Sequence, residues 1–163
     1  MKYVKHALAI GLMSVSSMVA ADSWLYAGGA VGQSSFGSDD NTTFGLHVGT
    51  GILPIIGIEA GYWNHGKFKF SGQEYDADSF YVGIKPSVDL GPVHIYGRLG
   101  ANRYDVSGQT SALSDDGYDV MYGVGVEYFV IDMISVGAGY QNFEVGDAGN
   151  IDSFTLNATF HFL

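Results

Sequence analysis

The chain has 163 residues, no cysteine, 24 glycines against three prolines, and 14% aromatic residues. Its 17 acidic side chains outnumber seven basic ones, for a formal net charge of −10. The lack of cysteine excludes a disulfide framework and thiolate metal sites, and the acidic balance excludes nucleic acid, whose phosphates require basic surfaces. A single domain of this length, rich in glycine and aromatic residues, favours an all-β fold.

The start of the chain differs in character from the rest. Lys2 and Lys5 precede an apolar run over 7–13, and small residues close the segment. This is the layout of a secretory signal peptide, and the run is too short for a spanning helix. A buried helix is the alternative. We therefore expect a cleavable signal peptide over 1–21 and one domain over 22–163.

From about residue 23 onward, apolar and polar residues alternate with a period of two, as they do in strands. In Phe44-Gly45-Leu46-His47-Val48 the apolar residues share one face, and the glycine and histidine share the other. The same pattern recurs over 58–62, 79–86, 93–102, 119–128, 134–141 and 153–162. A further strand over about 24–33 is rich in glycine and alanine, and its facing stays open. Eight strands of about 9–12 residues result, long enough to cross a bilayer at a tilt.

Short and long connections alternate between these strands. The short ones lie near 53–55, 88–92 and 129–133. The long ones lie near 34–41, 64–78, 105–117 and 144–150. Short periplasmic turns and long outer loops are typical of outer-membrane barrels, and an even number of strands leaves both termini in the periplasm.

Aromatic residues concentrate near the strand ends, where interfacial girdles are expected. Those expected at the periplasmic end are Trp24, Tyr26, Tyr128, Phe129, Phe160 and Phe162. Those expected toward the outer end are Phe44, Tyr62, Phe80, Tyr118 and Phe154. A soluble sandwich or lipocalin-like barrel is the alternative, but its second face would be solvated and richer in Lys and Glu. The prediction is an all-β, eight-stranded antiparallel up-and-down transmembrane β-barrel, preceded by a cleavable signal peptide.

Several short stretches resemble the transmembrane domain of outer membrane protein A and its small-barrel relatives. They are Gly57-Ile58-Glu59-Ala60-Gly61-Tyr62, Ile95-Tyr96-Gly97-Arg98-Leu99-Gly100, Gly125-Val126-Glu127-Tyr128, Tyr140-Gln141 and the alternation over Phe154–Phe162. The resemblance covers about 22–163 and implies a barrel with a polar interior, a structural role in the outer membrane and low ion conductance. Some members of that family are adhesins or phage receptors.

The resemblance also implies a C-terminal assembly signal, and the chain departs from the family pattern at two positions. The residues of the signal are Phe154, Leu156, Phe160 and Phe162, although Leu163 instead of an aromatic residue ends the chain. The family archetype carries an interior arginine on its seventh strand, and Gly137 occupies the matching position here. A gate that depends on that arginine is therefore not implied.

Four charged residues fall on the polar face of neighbouring strands: Glu59, Lys85, Arg98 and Glu127. At about 3.3 Å per residue from the nearest short turn, they should lie at similar depth inside the barrel. Two acids and two bases balance, and an eight-stranded barrel is just wide enough for side chains to fill it. One interpretation is a structural ion-pair plug, and another is a gate whose partners exchange to admit ions. Catalysis by the cluster is disfavoured, because no nucleophile or metal set accompanies it.

Three histidines, His47, His94 and His161, share the inward face but lie on separate strands. We expect isolated hydrogen-bonding groups and no metal site, because ligands must converge on one ion. Most acids instead fall in or beside the long connections. They are Asp39, Asp40, Glu74, Asp76, Asp78, Asp105, Asp115, Asp116, Asp119, Glu144, Asp147 and Asp152. Solvated loops and divalent-cation bridges to lipopolysaccharide are both compatible with this pattern.

The sequence therefore predicts a non-enzymatic, monomeric outer-membrane barrel without cofactor or metal. Its role is structural or surface-interacting, with weak porin-like conductance through a charge-plugged lumen. Its expected partners are outer-membrane lipid, lipopolysaccharide and the outer-membrane assembly machinery. A host- or phage-binding adhesin that acts through the acidic extracellular loops, with a receptor as partner, is one alternative. An outer-membrane lipid-modifying enzyme is another, although no His/Ser pair is evident at the outer rim.

Overall fold

The computed structural model describes residues 25–70, 73–108, 115–146 and 149–162, which form eight β-strands. The strands are β1 (Leu25–Phe36), β2 (Asp39–Leu53), β3 (Ile56–Phe70), β4 (Gln73–Leu90), β5 (Val93–Gly108), β6 (Asp115–Ile131), β7 (Ile134–Val145) and β8 (Gly149–Phe162). The signal peptide expected over 1–21 lies outside the described residues. No helix within the described ranges is long and apolar enough to cross a membrane.

The strands close into a barrel. Each strand pairs antiparallel with its neighbours in the chain, and β1 also pairs with β8. Closure leaves no strand edge with unpaired N–H and C=O groups, which a lipid bilayer could not satisfy. Two-residue turns join β2 to β3, β4 to β5 and β6 to β7, where the sequence predicts the periplasmic turns. In the second of these, Gly91 adopts a φ of 66°, a conformation that strains other residues.

The two faces of the wall are oriented as predicted on seven strands, with apolar side chains outward. Leu46 and Leu156, for example, are 61% and 62% exposed, whereas the alternate residues of their strands are buried. The facing of β1, open from the sequence, is now assigned. Tyr26 and Ser34 point inward and are fully buried, and Val31 points outward. The even-numbered residues of β1 therefore line the lumen.

Two aromatic residues predicted for the periplasmic girdle face the lumen instead. Tyr26 is fully buried. The ring of Phe129 packs against those of His94 and His161, with centroids 6.3 and 4.7 Å apart. The prediction was wrong for both residues because position near a strand end does not decide which way a side chain points. Trp24, also predicted for this girdle, lies outside the described residues.

The strands continue further at the outer end than the sequence predicts. They span 12 to 18 residues, instead of the expected length of about 9–12. Segment 34–41, expected to be a loop, is a tight hairpin that turns at Gly37 with a φ of 64°. Segments 64–78 and 105–117 are also mostly strand within the described residues.

The polarity of the wall inverts in these outer segments. Buried apolar side chains fill the barrel there, including Phe68, Tyr104, Phe143, Val145 and Ile151, and Trp63 and Met121 extend this cluster down to the level of the outward Tyr62 and Val120. Outward side chains between them are charged, such as Lys67, Asp76 and Glu144. Apolar side chains face lipid where the wall is in the membrane and face inward where it is in water. The barrel therefore continues outside the membrane as a water-soluble barrel, which corrects the expectation of long loops and of a polar interior throughout.

Candidate functional site

Inside the membrane-spanning part, the lumen contains all four charged residues of the predicted cluster. Glu59, Lys85, Arg98 and Glu127 are each at most 4% exposed. Glu59 on β3 and Arg98 on β5 are in direct contact. Nε of the arginine lies 2.5 Å from Oε1 of the carboxylate, and Nη2 lies 3.3 Å from Oε2. A two-point contact is the arrangement in which arginine binds a carboxylate most strongly.

Two tyrosine hydroxyls complete the environment of Glu59. Tyr26 donates to Oε2 over 3.1 Å, and Tyr81 donates to Oε1. The sequence analysis missed both. Tyr81 falls on the polar face of its strand, between Ser79 and Lys85, and a buried tyrosine needs a partner for its hydroxyl. An aromatic residue on the polar face was therefore the available signal.

Lys85 lies against two aromatic rings. Its Nζ is 4.4 Å from the ring centroid of Tyr26, 4.6 Å from that of Tyr96 and 4.0 Å from Oε2 of Glu59. Among the described residues, Nζ has no hydrogen-bond partner. Ring faces attract a cation, most strongly where water is excluded. The rings and the carboxylate therefore stabilise the ammonium charge.

Glu127 has a different environment from Glu59. It accepts hydrogen bonds from Ser135 at 3.1 Å, Asn157 at 2.5 Å and Thr159 at 3.1 Å, all uncharged donors. Within the described ranges, no lysine or arginine lies within 4.0 Å of this carboxylate. The cluster is therefore one ion pair with a nearby ammonium, plus a separate carboxylate held by neutral groups.

The guanidinium of this site comes from β5 and not from β7. Gly137 on β7 lies opposite Glu127 in the register. A Cβ at Gly137 would overlap the carbonyl oxygen of Val126, so a larger residue would require the backbone to shift. Arg98 provides the interior guanidinium instead.

A second set of buried polar groups lies further out in the lumen. Nδ1 of His65 is 3.3 Å from Oγ of Ser34, and its Nε2 is 3.0 Å from Oγ of Ser79. The imidazole also packs edge-on against Phe143, with ring centroids 4.7 Å apart. These polar groups thus adjoin the apolar cluster. This layer was not predicted from the sequence, because 64–78 was expected to be a loop.

The other inward histidines are dispersed. His47 contacts Thr159 at 3.3 Å, His94 contacts Asp89 at 2.7 Å, and His161 contacts Ser135 at 2.9 Å. In the part of the chain that the structure describes, no three His, Asp or Glu side chains lie close enough together to hold a metal ion. The lumen contacts are hydrogen bonds and charge compensation.

A closed barrel with an apolar outer wall and a filled, charged lumen defines an integral β-barrel of the outer-membrane type. The chain belongs to the outer membrane protein β-barrel domain family, whose model matches residues 6–162. It is a protein of the Gram-negative outer membrane, as the sequence predicts. No curated protein matches the chain.

Solved structures of small outer-membrane barrels share this fold. Neisserial surface protein A has a TM-score of 0.69 at 17% identity, over 85% of this chain and 96% of its own. Ail, the attachment invasion locus protein of Yersinia pestis, was solved in complex with the heparin analogue sucrose octasulfate. It has a TM-score of 0.61 at 18% identity, over 86% of this chain and 98% of its own. At such identities the likeness establishes the fold alone.

A third solved structure corrects the expectation that the chain is not an enzyme. The outer membrane enzyme PagL has a TM-score of 0.52 at 14% identity, over 84% of this chain and 99% of its own. A barrel of this architecture thus carries an enzyme. The expectation was wrong, because the barrel alone does not settle enzymatic status.

Proposed function

We propose that the chain is a closed, monomeric barrel that contributes to outer-membrane structure and presents its outer extension for interactions at the cell surface. The observation that carries this proposal is the inversion of polarity above the membrane. Because the extension has an apolar core of its own, it is held as a rigid continuation of the barrel. A rigid surface loses little conformational entropy when a partner binds, which favours recognition.

The charge of the extension bears on the kind of partner. Its exposed acids include Asp40, Glu74, Asp76, Asp105, Asp116 and Glu144. Ail was solved with a polyanionic heparin analogue, but such a ligand does not suit a surface of like charge. A receptor with a basic surface, or lipopolysaccharide bridged by divalent cations, suits it better. An adhesin role would use the same surface.

In this proposal the lumen is a plug with two layers. The pair of Glu59 and Arg98 forms one layer, and the apolar cluster around Trp63 and Phe143 forms the other. Eight strands enclose only enough space for such side chains. We therefore expect no steady conductance.

A gate is the second candidate, and one observation favours it. Lys85 lacks a hydrogen-bond acceptor, while Glu127 lacks a cation, among the described residues. A movement of Lys85 from Glu59 toward Glu127 would exchange the pairing inside the lumen. Ion pathways are controlled by such rings of charge.

Planar-bilayer recording of the purified chain separates plug from gate. A plug gives silent membranes for the natural chain, Lys85→Ala and Glu127→Ala. A gate gives channel events whose frequency changes in either variant. Steady open-channel current from the natural chain would contradict the closed lumen.

Surface interaction is tested with cells that display the natural chain or a variant with Asp76→Asn, Asp105→Asn and Asp116→Asn. Both are measured for binding to basic extracellular proteins and to lipopolysaccharide with Ca²⁺. The natural chain should bind more strongly, because the variant removes three exposed carboxylates. Equal binding by both would argue against the acidic extension as the interaction surface.

The outward face of β8 is the proposed recognition element for the assembly machinery. Phe154, Leu156, Phe160 and Phe162 all point outward, with exposures of 62%, 62%, 37% and 43%. A Phe160→Ala/Phe162→Ala variant should reach the outer membrane in smaller amounts, yet fold in vitro into lipid vesicles. Tyr128→Ala, an outward aromatic residue on β6, is the matched control. Equal losses in both variants would indicate a general folding defect.

A further inference from the structure

The outward face of β5 carries an arginine at the upper edge of the apolar band. Arg103 follows Leu99 and Ala101 on the same face, and all three are exposed. Its register partners are Phe80 on β4 and Tyr118 on β6, both outward-facing aromatic residues. Aromatic girdles mark the level at which the hydrocarbon meets the lipid headgroups. The guanidinium therefore lies at headgroup level on the outer side of the membrane.

Arg103 is the one cation at this level of the described wall. The outward residues just above the apolar band on the other strands are Gln33, Thr42, Asn64, Asp78, Asp116, Asn142 and Asp152. Lys67 lies further out, beyond a register shift in β3, and is 3.8 Å from Asp76. An anionic headgroup at this depth thus meets one group of opposite charge, while the carboxylates of Asp78, Asp105 and Asp116 lie one step further out, above the headgroup level.

Two of the three acids near Arg103, Asp78 and Asp105, accept hydrogen bonds from other donors. Oδ1 of Asp78 accepts the hydroxyl of Tyr62 at 2.6 Å and the amide of Asn64 at 2.8 Å. Asp105, which pairs with Asp78 in the register, accepts the hydroxyl of the serine two residues further on. Within the described residues, neither acid forms an ion pair with Arg103. The N–H donors of the guanidinium are therefore available to a ligand.

We propose that Arg103 binds the phosphate of a phosphorylated outer-leaflet lipid of the lipopolysaccharide type. The planar guanidinium matches two phosphate oxygens at once, and the interface excludes part of the competing water. Phe80 beside it and Leu99 below it offer an apolar wall to the acyl chains. The ring of Tyr118, 6.0 Å from Cζ, borders the headgroup. This site faces lipid and does not depend on the surface-interaction role proposed above.

One rival role for Arg103 needs no lipid phosphate. Three aspartates occupy facing register positions on β4, β5 and β6, namely Asp78, Asp105 and Asp116. On β5, Asp105 is the next outward residue above Arg103. Like charges directly opposite each other destabilise a sheet. An arginine beside them would reduce this repulsion equally in every lipid. The two roles therefore predict different dependence on the lipid.

The test uses the full chain, purified in neutral detergent with a chelator and analysed by native mass spectrometry. The probes are bis-phosphorylated lipid A, the same lipid after dephosphorylation, and inorganic phosphate. The natural chain should bind the phosphorylated lipid about tenfold more tightly than the dephosphorylated one, the effect of one charge-assisted contact. Arg103→Gln should abolish this preference, and Arg103→Lys should keep part of it. Lys67→Gln, the matched control, should keep all of it.

Three outcomes would overturn the proposal. One is equal binding of the two lipids by the natural chain, and another is an unchanged preference in Arg103→Gln. The third is full competition by inorganic phosphate alone, which would make free phosphate the ligand. Urea unfolding tests the rival: if Arg103→Gln destabilises the barrel equally in phosphatidylcholine vesicles with and without lipid A, the arginine only screens the acids.

Discussion

Arg98 holds both oxygens of the Glu59 carboxylate although the two residues lie on strands that are not neighbours. The pair therefore ties β3 to β5 across the lumen and adds a contact that the sheet hydrogen bonds do not provide. Both groups have lost their water. Removing one partner would leave the other charge buried without its main counter-charge, whereas removing both leaves only Lys85 without the nearby carboxylate.

This relationship predicts the cost of breaking the pair. Arg98→Met should lower the free energy of unfolding by about 3–5 kcal/mol, and Glu59→Gln should also destabilise the barrel. The double variant should lose less than the sum of the two. Urea unfolding in lipid vesicles measures all three. Lys67→Gln, which breaks an exposed pair with Asp76, is the control and should cost at most about 1 kcal/mol. Additive losses in the double variant would mean that the two side chains act independently.

The two layers of the plug predict that conductance requires both to be opened. Arg98→Ala alone should stay silent in planar bilayers, because the apolar layer of Trp63 and Phe143 still fills the lumen. Trp63→Ala/Phe143→Ala alone should also stay silent, because the charged layer remains. The triple variant should conduct. If Arg98→Ala conducts as well as the triple variant, the apolar layer does not seal the lumen.

The period of two was enough to predict the fold and the facing of seven strands, because lipid and a narrow lumen impose opposite polarities on alternate residues. It was also enough to place Glu59 and Arg98 inside. It could not assign β1, where glycine and alanine occupy both faces. There, Tyr26 was mistaken for a girdle residue.

The outer extension was missed for a related physical reason. Val145 and Ile151 are buried there and Glu144 is exposed, so the alternation is still present but its polarity is reversed. The sequence was interpreted with apolar residues outward, as in a strand that faces lipid. Strands that face water place their apolar residues inward, so the same alternation appeared irregular there. Contacts across the lumen, such as Lys85 against Tyr96, depend on the barrel closing and have no local signal in the sequence.

Glycines opposite the inward tyrosines predict a further set of stabilities. A Cβ at Gly49 would overlap the hydroxyl of Tyr26, whereas one at Gly29 would be 3.7 Å from its nearest neighbours. Gly49→Ala should therefore destabilise the barrel by about 1–3 kcal/mol, as overpacking does. Gly29→Ala is the matched control and should be tolerated. Gly49→Ala should cost less in a Tyr26→Leu background than in the natural chain, because leucine has no ring or hydroxyl to overlap the new Cβ.

The unboiled and boiled bands of a gel report folding of these variants, and urea unfolding gives the magnitude. Similar losses for Gly49→Ala and Gly29→Ala would show that the close approach of the tyrosine is not the cause. An equal cost of Gly49→Ala in the natural chain and in the Tyr26→Leu background would point to a backbone effect at Gly49 instead.

A short pattern occurs twice, half a barrel apart. Gly61-Tyr62-Trp63-Asn64 on β3 pairs with Asp78-Ser79-Phe80 on β4, and Gly139-Tyr140-Gln141-Asn142 on β7 pairs with Asp152-Ser153-Phe154 on β8. In both copies the aspartate accepts hydrogen bonds from the tyrosine and the asparagine. Two strands lie between the copies in each direction around the barrel, so the copies are on opposite sides of it.

The two copies differ in the amide oxygen of the asparagine, and this difference predicts unequal costs. Oδ1 of Asn64 accepts the backbone N–H of Gly66 at 3.2 Å, whereas the buried Oδ1 of Asn142 has no partner among the described residues. Asn64→Ala removes two hydrogen bonds. Asn142→Ala removes one and also eliminates a buried, unsatisfied oxygen. Asn64→Ala should therefore destabilise the barrel by about 1 kcal/mol more, the net contribution of one hydrogen bond.

Urea unfolding of the two variants in the same vesicles measures this difference. The comparison is matched because Asn64 and Asn142 occupy equivalent positions in the two copies of the pattern. Tyr62→Phe and Tyr140→Phe provide the control, since each removes the same hydroxyl donor to the shared aspartate and should cost similar amounts. Removing an unpaired oxygen breaks no hydrogen bond and so costs no stability. A larger loss for Asn142→Ala would therefore mean that Oδ1 of Asn142 does accept a hydrogen bond, for instance from water or a lipid headgroup.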